Sequence, residues 1–374
     1  MRLLQFHAEN FRNIACQSIR FSEGVNLLLG ENAQGKTNVM EGIYFFSRGK
    51  SHRGSSDKEM TRFGAQGMRI GIDYEDSMGK NSLTYAFADG QRKRMKNGYK
   101  LDRVTDMVGS FRAVLFCPDH LGLVKAGPEE RRRFLDIGIS SCNSAYLKYY
   151  ANYKSALEER SCLLKMMQKG LFAEPSELSA WSESLAEYSS YLYLMRRDYA
   201  ARIAKHAAAF LHDMTDGGEI MRAELVTDIT DDDGALTREQ VRERYLRIYS
   251  EQTAREIAAG TTLFGPSRDE LEIYLGDKRA RHFASQGQQR SVVLALKSAE
   301  GEVCREITGE HPVYLFDDVL SELDAGRRAF VLSGMAGKQL ILTSCNRHDG
   351  LCDTGNVIEV ANGEYHASID RENR

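Results

Sequence analysis

The chain has 374 residues, and 50 Lys and Arg nearly cancel 53 Asp and Glu to leave a net charge of −3. With 42% hydrophobic and 28% charged residues it is too apolar for a disordered chain and carries no collagenous or low-complexity signature. At about 150 residues per domain the length predicts two domains, three at most.

The first ten residues meet a charged or polar group every few positions, and nowhere does an apolar run reach the roughly 18 residues of a membrane span, so a cytoplasmic protein is expected. A pI near 6.3 excludes a globally basic binder but leaves room for a local basic face. The cysteines, Cys16, Cys117, Cys142, Cys162, Cys304, Cys345 and Cys352, form no Cys-x-x-Cys pair; they fit a reducing compartment and read as small buried hydrophobes.

In chain order, Leu3, Leu4 and Phe6 open a short strand, and the apolar run Val25-Asn26-Leu27-Leu28-Leu29 predicts a buried strand that ends at Gly30. From Asn38 onward Val39, Met40, Ile43, Tyr44 and Phe46 recur at helical spacing, so a helix follows the glycine-rich turn directly. Alternating runs between about 68 and 116, separated by Gly and Asn-Gly turns, predict a β-rich region. Beyond Glu129 the texture turns helical: Leu185, Tyr188, Leu192, Met195, Tyr199 and Ile203 line one face, and Gly170 with Pro175 marks a turn, which predicts a pair of long antiparallel helices. Asp231-Asp232-Asp233-Gly234 reads as a solvated loop, the rest of an EF-hand being missing. Strands and helices alternate again from Gly260, with 339–343 and 357–360 as two more strands.

Gly30-Glu31-Asn32-Ala33-Gln34-Gly35-Lys36-Thr37 satisfies G-x-x-x-x-G-K-[ST] between the predicted strand and helix. The backbone N–H groups of such a loop hold phosphate oxygens, the helix dipole adds positive potential, Lys36 reaches the β- and γ-phosphates and Thr37 ligates Mg²⁺. The chemistry also needs an acid at the end of a neighbouring strand, and Val313-Tyr314-Leu315-Phe316-Asp317-Asp318 supplies two: Asp317 as metal ligand, Asp318 to orient or deprotonate the attacking water. A third element, Ser285-Gln286-Gly287-Gln288-Gln289-Arg290, opens an apolar helical stretch; it can present a hydroxyl, a free N–H and a helix dipole to an anion, or be a plain N-capped helix. Ser321-Glu322-Leu323-Asp324 follows Asp318 at once.

Together the four motifs resemble the ABC-type ATPase heads of the SMC superfamily. Longer strings resemble the RecF family of bacterial DNA replication and repair proteins over nearly the whole chain: Glu9-Asn10-Phe11-Arg12-Asn13, Lys50-Ser51-His52-Arg53, Phe116-Cys117-Pro118-Asp119 and Glu130-Arg131-Arg132-Arg133-Phe134-Leu135-Asp136, besides the motifs themselves. The resemblance implies an α/β fold, an ABC-type P-loop ATPase head of mixed sheets with helices plus an inserted, mainly helical lobe. The expected division is 1–125 and 258–374 for the ATPase lobe and 126–257 for the insertion. ATP and Mg²⁺ are the implied cofactors. Two heads would close on two ATP molecules, each held by residues 30–37 of one subunit and by Ser285, Gly287 and Gln288 of the other. Asp324 would let the two sites sense each other, and Arg12 would touch phosphate as well.

The implied function is ATP-dependent homodimerisation on double-stranded DNA and single-strand/duplex junctions in recombinational repair and replication restart. Weak, DNA-dependent hydrolysis would release the DNA, and the family points to RecO and RecR mediator proteins as partners and to the SOS response. A transporter ATPase subunit is the rival reading. It is weakened by Thr343-Ser344, where transporters commonly carry a switch His, and by the lack of a placeable Q-loop Gln; Asp318 instead of Glu predicts slow turnover. A metabolic P-loop kinase would have no use for Ser285 to Arg290. Three basic clusters are candidates for phosphate contact: Arg92-Lys93-Arg94-Met95-Lys96 with Lys100 and Arg103, Arg131-Arg132-Arg133, and Lys278-Arg279-Ala280-Arg281. For any one of them a solvated face, or an ion pair with nearby acids such as Glu129 and Glu130, is the readier reading. No helix-turn-helix or zinc-finger signature suggests base readout.

Overall fold

The computed structural model describes residues 1–172, 174–231, 234–345 and 355–367. Among these residues two six-stranded sheets and one three-stranded sheet carry the fold. The first is antiparallel: Arg2–Phe11 lies between Ile14–Arg20 and Gly67–Asp76, and the sheet continues through Gly79–Ala88 and Gln91–Lys96 to Tyr99–Leu101. The second runs Glu364–Ala367, Asn356–Ala361, Val25–Leu29, Leu340–Ser344, Val313–Phe316, Ala113–Phe116, all parallel except the antiparallel edge strand Glu364–Ala367.

Strands buried on both faces read as continuous apolar runs, and the period of two then divides their side chains between two cores. Leu28, Leu115, Val313, Leu315 and Ile341 point into one core, which they share with Phe6, Phe11, Ile70 and Ile72 of the antiparallel sheet. The helix Lys36–Arg48 is sandwiched there: Val39, Met40, Ile43 and Phe46 are buried, and the helix ends on left-handed Gly49. Leu27, Leu29, Val114, Phe116, Tyr314, Phe316, Leu340 and Leu342 point the other way, into a core shared with the helices that follow. Phe116 and Phe316 stack there with ring centroids 4.0 Å apart.

The helical region differs from the expected pair. Helices Pro128–Cys142, Ser144–Gln168 and Pro175–Met214 make three, because Asn143 adopts extended backbone and caps the second, its side chain accepting from the Ala145 N–H at 3.1 Å. The turn at Gly170 and Pro175 is as expected, and Leu185, Leu192, Tyr199 and Ile203 are buried against Gln286–Thr308 and its neighbours. In the three-stranded sheet Glu270–Leu275 pairs with Met221–Val226 on one side and with Lys278–Arg279 on the other, so hydrogen bonds tie the insertion to the chain that follows it.

Charged groups make the same tie. Arg131 is buried and grips Glu270 with two hydrogen bonds of 2.7 and 2.9 Å, while also donating to the carbonyls of Leu123 and Ala126. Arg132 donates to the Asp269 carbonyl and Arg133 pairs with Glu130. Arg131 is thereby bound into the fold, while Arg133 stays in a loose surface pair. Arg131→Ala leaves the Glu270 carboxylate without its counter-charge, and the expected cost is about 3–5 kcal/mol of folding stability, read as a lower urea midpoint; an unchanged midpoint would contradict the structural role.

Two expectations are corrected. Asp231 is not solvated: its side chain is 5% exposed and pairs with Arg197 at 2.6 Å while accepting from Tyr193, because the loop folds back onto Pro175–Met214; Asp232 and Asp233 lie outside the described residues. Cys117 and Cys304 are buried, but Cys16, Cys162 and Cys345 are exposed and Cys142 is half-buried; Cys352 lies outside the described residues. Among the described residues no helix is long and apolar enough to cross a membrane.

Candidate nucleotide site

In a parallel sheet with helices on its faces, ligands sit beyond the carboxyl ends of the strands. Register brings the predicted residues to one level there. Thr343 pairs with Leu28, Ser344 with Leu29 and Phe316 with Leu342, so Gly30, Thr343 and Asp317 emerge side by side.

Residues 30–35 are clamped from two directions. The Gln34 carbonyl accepts from Asn13 Nδ2 at 2.9 Å and from the Gly363 N–H at 3.0 Å, and Tyr365 Oη donates to the Gly35 carbonyl at 2.9 Å. Glycine is required at both ends. A Cβ on Gly30 would meet the Val360 carbonyl oxygen at 2.2 Å; Gly35, at φ +117°, would meet Asn13 and Tyr365 within 2.8 Å. Ala33 is also left-handed, with φ 64°. Asn32 accepts from the Cys345 thiol at 2.9 Å, and Glu31, Asn32 and Ala33 are exposed. The loop therefore opens outward with its backbone fixed behind it.

Lys36 is 7% exposed, and its Nζ curls back to donate to the carbonyls of Gly30 and Glu31, the latter at 2.8 Å. These are neutral acceptors, and a phosphate oxygen in their place would make a stronger, charge-assisted bond. Thr37 Oγ1 donates to Asp317 Oδ1 at 3.0 Å and Thr343 Oγ1 donates to the same oxygen at 3.1 Å. Burial pushes the Asp317 carboxyl above its usual range, with the two hydroxyl hydrogen bonds opposing that shift. A hydroxyl and a carboxylate in contact at the loop's end form a hard-oxygen donor set that fits Mg²⁺. Asp318 is exposed and left-handed, φ 54°; its N–H donates to Thr343 Oγ1 at 2.9 Å and its carboxylate accepts from Ser321 Oγ at 3.1 Å. Adjacent carboxylates thus divide the work, one turned in towards Thr37 and one out towards solvent.

Arg12 stands beside the loop, but its guanidinium is held by protein: it grips buried Glu41 through two hydrogen bonds of 2.7 and 2.9 Å and donates to Ser55 and to the Glu59 carbonyl. Ser51 also donates to Glu41 and Arg53 lies 3.6 Å from it, which accounts for the Lys50-Ser51-His52-Arg53 string as a collar on the helix Lys36–Arg48. Arg12, Ala33, Gln34 and Asn38 border an open groove of about 1310 Å³ that extends to Phe63.

Ser285 caps Gln286–Thr308: its hydroxyl accepts from the Gln288 N–H at 3.3 Å, and the Gln288 side chain returns a bond to the Ser285 N–H at 3.0 Å. Ser285 and Gly287 are exposed, and among the described residues the side-chain bonds of Ser285 and Gln288 stay within this cap. Asp324 caps Ala325–Ser333 in the same way, accepting from the Arg327 N–H at 2.9 Å. The structure thus joins residues 30–37 to Asp317 and Asp318 and leaves Ser285, Gly287 and Gln288 apart from them. Sequence reasoning gave no site role to Asn13, Thr343 and Tyr365, whose partners are remote in sequence.

Comparison with known proteins agrees with this fold. Residues 5–112 match a family described as an AAA domain. The DNA replication and repair protein RecF of Clostridioides difficile (strain 630) is 36% identical over 370 residues, covering 97% of this chain and 98% of its own. RecF of Limosilactobacillus reuteri (strain DSM 20016) is 34% identical over 367 residues, covering 97% of this chain and 98% of its own. A solved RecF–ATPrS complex, described as a recombination mediator in the RecFOR pathway, superposes with a TM-score of 0.90 at 29% identity and covers 98% of each chain. An Smc head bound to the C-terminal winged helix of ScpA shares the fold, with a TM-score of 0.60 at 16% identity over 100% of this chain and 98% of its own. The transporter reading is not favoured, and the chain belongs to the RecF family of DNA replication and repair proteins.

Proposed function

We propose that the chain is an ATP-gated clamp on DNA: ATP binding closes two copies into a homodimer, the dimer holds duplex DNA or a single-strand/duplex junction, and slow, DNA-stimulated hydrolysis opens it. The observation that carries the reading is the divided site. Residues 30–37, Asp317 and Asp318 converge, while Ser285 waits exposed at a helix start with its N–H dipole unopposed by any residue of that cluster. A two-fold axis that sets the partner's Ser285 over the nucleotide completes two sites at once. ATP then stabilises the dimer by mass action, because only the dimer makes all the phosphate contacts.

In each site the backbone N–H groups of residues 31–36 and the Lys36 ammonium would bind the β- and γ-phosphates, and the sugar and base would extend towards the groove beside Arg12. Mg²⁺, when bound, would be held by Thr37 and Asp317 and would neutralise phosphate charge. Thr343 fixes both the Asp317 carboxylate and the Asp318 backbone, so the outer carboxylate is aimed by the same hydroxyl that orients the inner one. Asp318 would orient or deprotonate the attacking water. Its short side chain reaches less far than a glutamate, which supports slow turnover. Arg12 could meet phosphate only by releasing one of its present partners. Asp324, which caps the helix Ala325–Ser333 a few residues after Asp318, is suited to report one site's state to the other.

The lobes proposed are 1–125 with 258–374 for ATP and 126–257 for a mainly helical insertion, acting in the cytoplasm with RecO- and RecR-type mediators. Ser285→Arg tests the divided site: a bulky cation at the partner's phosphate position should abolish the ATP-dependent dimer while nucleotide affinity of the monomer changes less than about threefold, a shift under 1 kcal/mol. A variant that still dimerises with ATP would remove Ser285 from the interface.

A further inference from the structure

Duplex DNA bound by charge needs a surface where cations lack carboxylate partners, and the structure sorts the basic clusters on that criterion. Arg131 is engaged within the fold, Arg132 is held by the Asp269 carbonyl, and Arg133 makes only a loose 3.6 Å surface pair with Glu130, which leaves this cluster one weakly paired cation. Arg279 pairs with Glu272 at 3.3 Å and Lys278 lies over the Phe283 ring, in a segment that runs directly into Ser285, where the partner head is proposed to sit. The remaining cluster lies on the hairpin formed by Gln91–Lys96 and Tyr99–Leu101; there Arg92 pairs with Asp57 at 2.6 Å, and the structure adds what the sequence did not indicate for the others. A cleft of about 930 Å³ separates the region around this hairpin from the helix Ser144–Gln168.

Lys96, Arg103 and Arg112 line the cleft from the ATPase side and Lys148 lines it from the helix. Arg103 and Lys148 are exposed, and among the described residues neither has a carboxylate within ion-pair distance. Lys96 donates to neutral Ser110. Arg112 is held by the Gly109 carbonyl and Glu310, yet its Nε is buried without a partner. Two carboxylates share the lining, and both already accept local bonds: Asp106 from the Arg103 N–H, Asp76 from the Met78 N–H and Asn81. Exposed Lys93, and Lys100 in a loose 3.7 Å pair with Asp102, carry the positive charge outward along the hairpin.

We infer that this cleft seats the sugar–phosphate backbone of one strand of duplex DNA, with Arg103 and Lys148 as its phosphate contacts from opposite walls. The inference rests on the DNA-binding reading above and deepens it by naming the surface. Phosphate contacts of this kind fix position without reading sequence. A strand held from both walls also bridges the ATPase lobe and the helical insertion, so DNA would bind best to one juxtaposition of the two.

The test is fluorescence anisotropy of a labelled 30-base-pair duplex with full-length protein and ATP, titrated with salt, for three proteins: unaltered, Arg103→Ala/Lys148→Ala, and Lys165→Ala/Lys169→Ala, which removes exposed cations at the far turn of the helices. Loss of two phosphate contacts should weaken binding about tenfold or more at low salt and reduce the slope of log affinity against log salt by about 2, with the ATP-dependent dimer intact and the Lys165/Lys169 variant unchanged. Retained affinity and slope in Arg103→Ala/Lys148→Ala, while the unaltered protein binds, overturns the cleft assignment alone. Loss of the dimer in that variant also overturns it, since closure rather than the cleft would explain the result. No binding by the unaltered protein at any salt overturns the DNA reading itself.

Discussion

Lys36→Ala should lower ATP affinity by about a hundredfold or more and abolish the ATP-dependent dimer. Bonds from a charged donor contribute about 1.5–3 kcal/mol each, and an ammonium that exchanges the Gly30 and Glu31 carbonyls for two phosphate oxygens makes at least two of them. At 1.4 kcal/mol per factor of ten, two such bonds span two to four decades. The fold should survive, because the loop's shape is held from behind by Asn13, Gly363 and Tyr365 rather than by the ammonium. Calorimetric titration with a slowly hydrolysed ATP analogue measures the affinity, and a thermal melt checks the fold. Unchanged affinity in a folded variant would sink the assignment of residues 30–37.

Asp318→Asn separates binding from chemistry. Asparagine tolerates the left-handed backbone as well as aspartate does, and its carbonyl can still accept from Ser321, so the change removes charge and basicity and little else. Turnover should fall by about 10²- to 10⁴-fold, the usual contribution of a positioned general base, while the ATP-bound dimer persists and lasts longer. Phosphate release under single-turnover conditions measures it; hydrolysis at the parental rate would take Asp318 out of catalysis. Asp317, by contrast, is buried between Thr37 and Thr343, and its loss should weaken metal and nucleotide together.

Local sequence carried the strand, loop and helix at 25–48 and the strand that ends in Asp317, because period-two and period-3.6 patterns are set by nearest neighbours. It also carried the helix start at Ser285, where the capping hydroxyl and the N–H that donates to it lie three residues apart; the equivalent cap at Asp324 was not legible as one. What it did not carry depends on partners far along the chain. Nothing near Thr343 says that its hydroxyl will join Asp317 to the Asp318 N–H, and nothing near Tyr365 says that it will close on Gly35. Nothing near Arg12 in the sequence says that its guanidinium will grip Glu41 of the helix that follows the loop. The break at Asn143 is a competition between helix continuation and a side-chain cap, which the helical periodicity of the flanking residues obscures. Charge runs were least legible. Asp231 and Arg131 look like surface residues by composition, and each is fixed by an opposite charge that the fold delivers.

The central claim is that ATP makes the dimer and the dimer holds DNA. Light scattering gives molecular mass directly, with ADP, with ATP, and with ATP plus a short duplex, at two salt concentrations. Expected are a monomer with ADP, a dimer with ATP, and a dimer carrying duplex that dissociates at the higher salt. A monomer under all three conditions, hydrolysing ATP at a rate that DNA does not change, would contradict it.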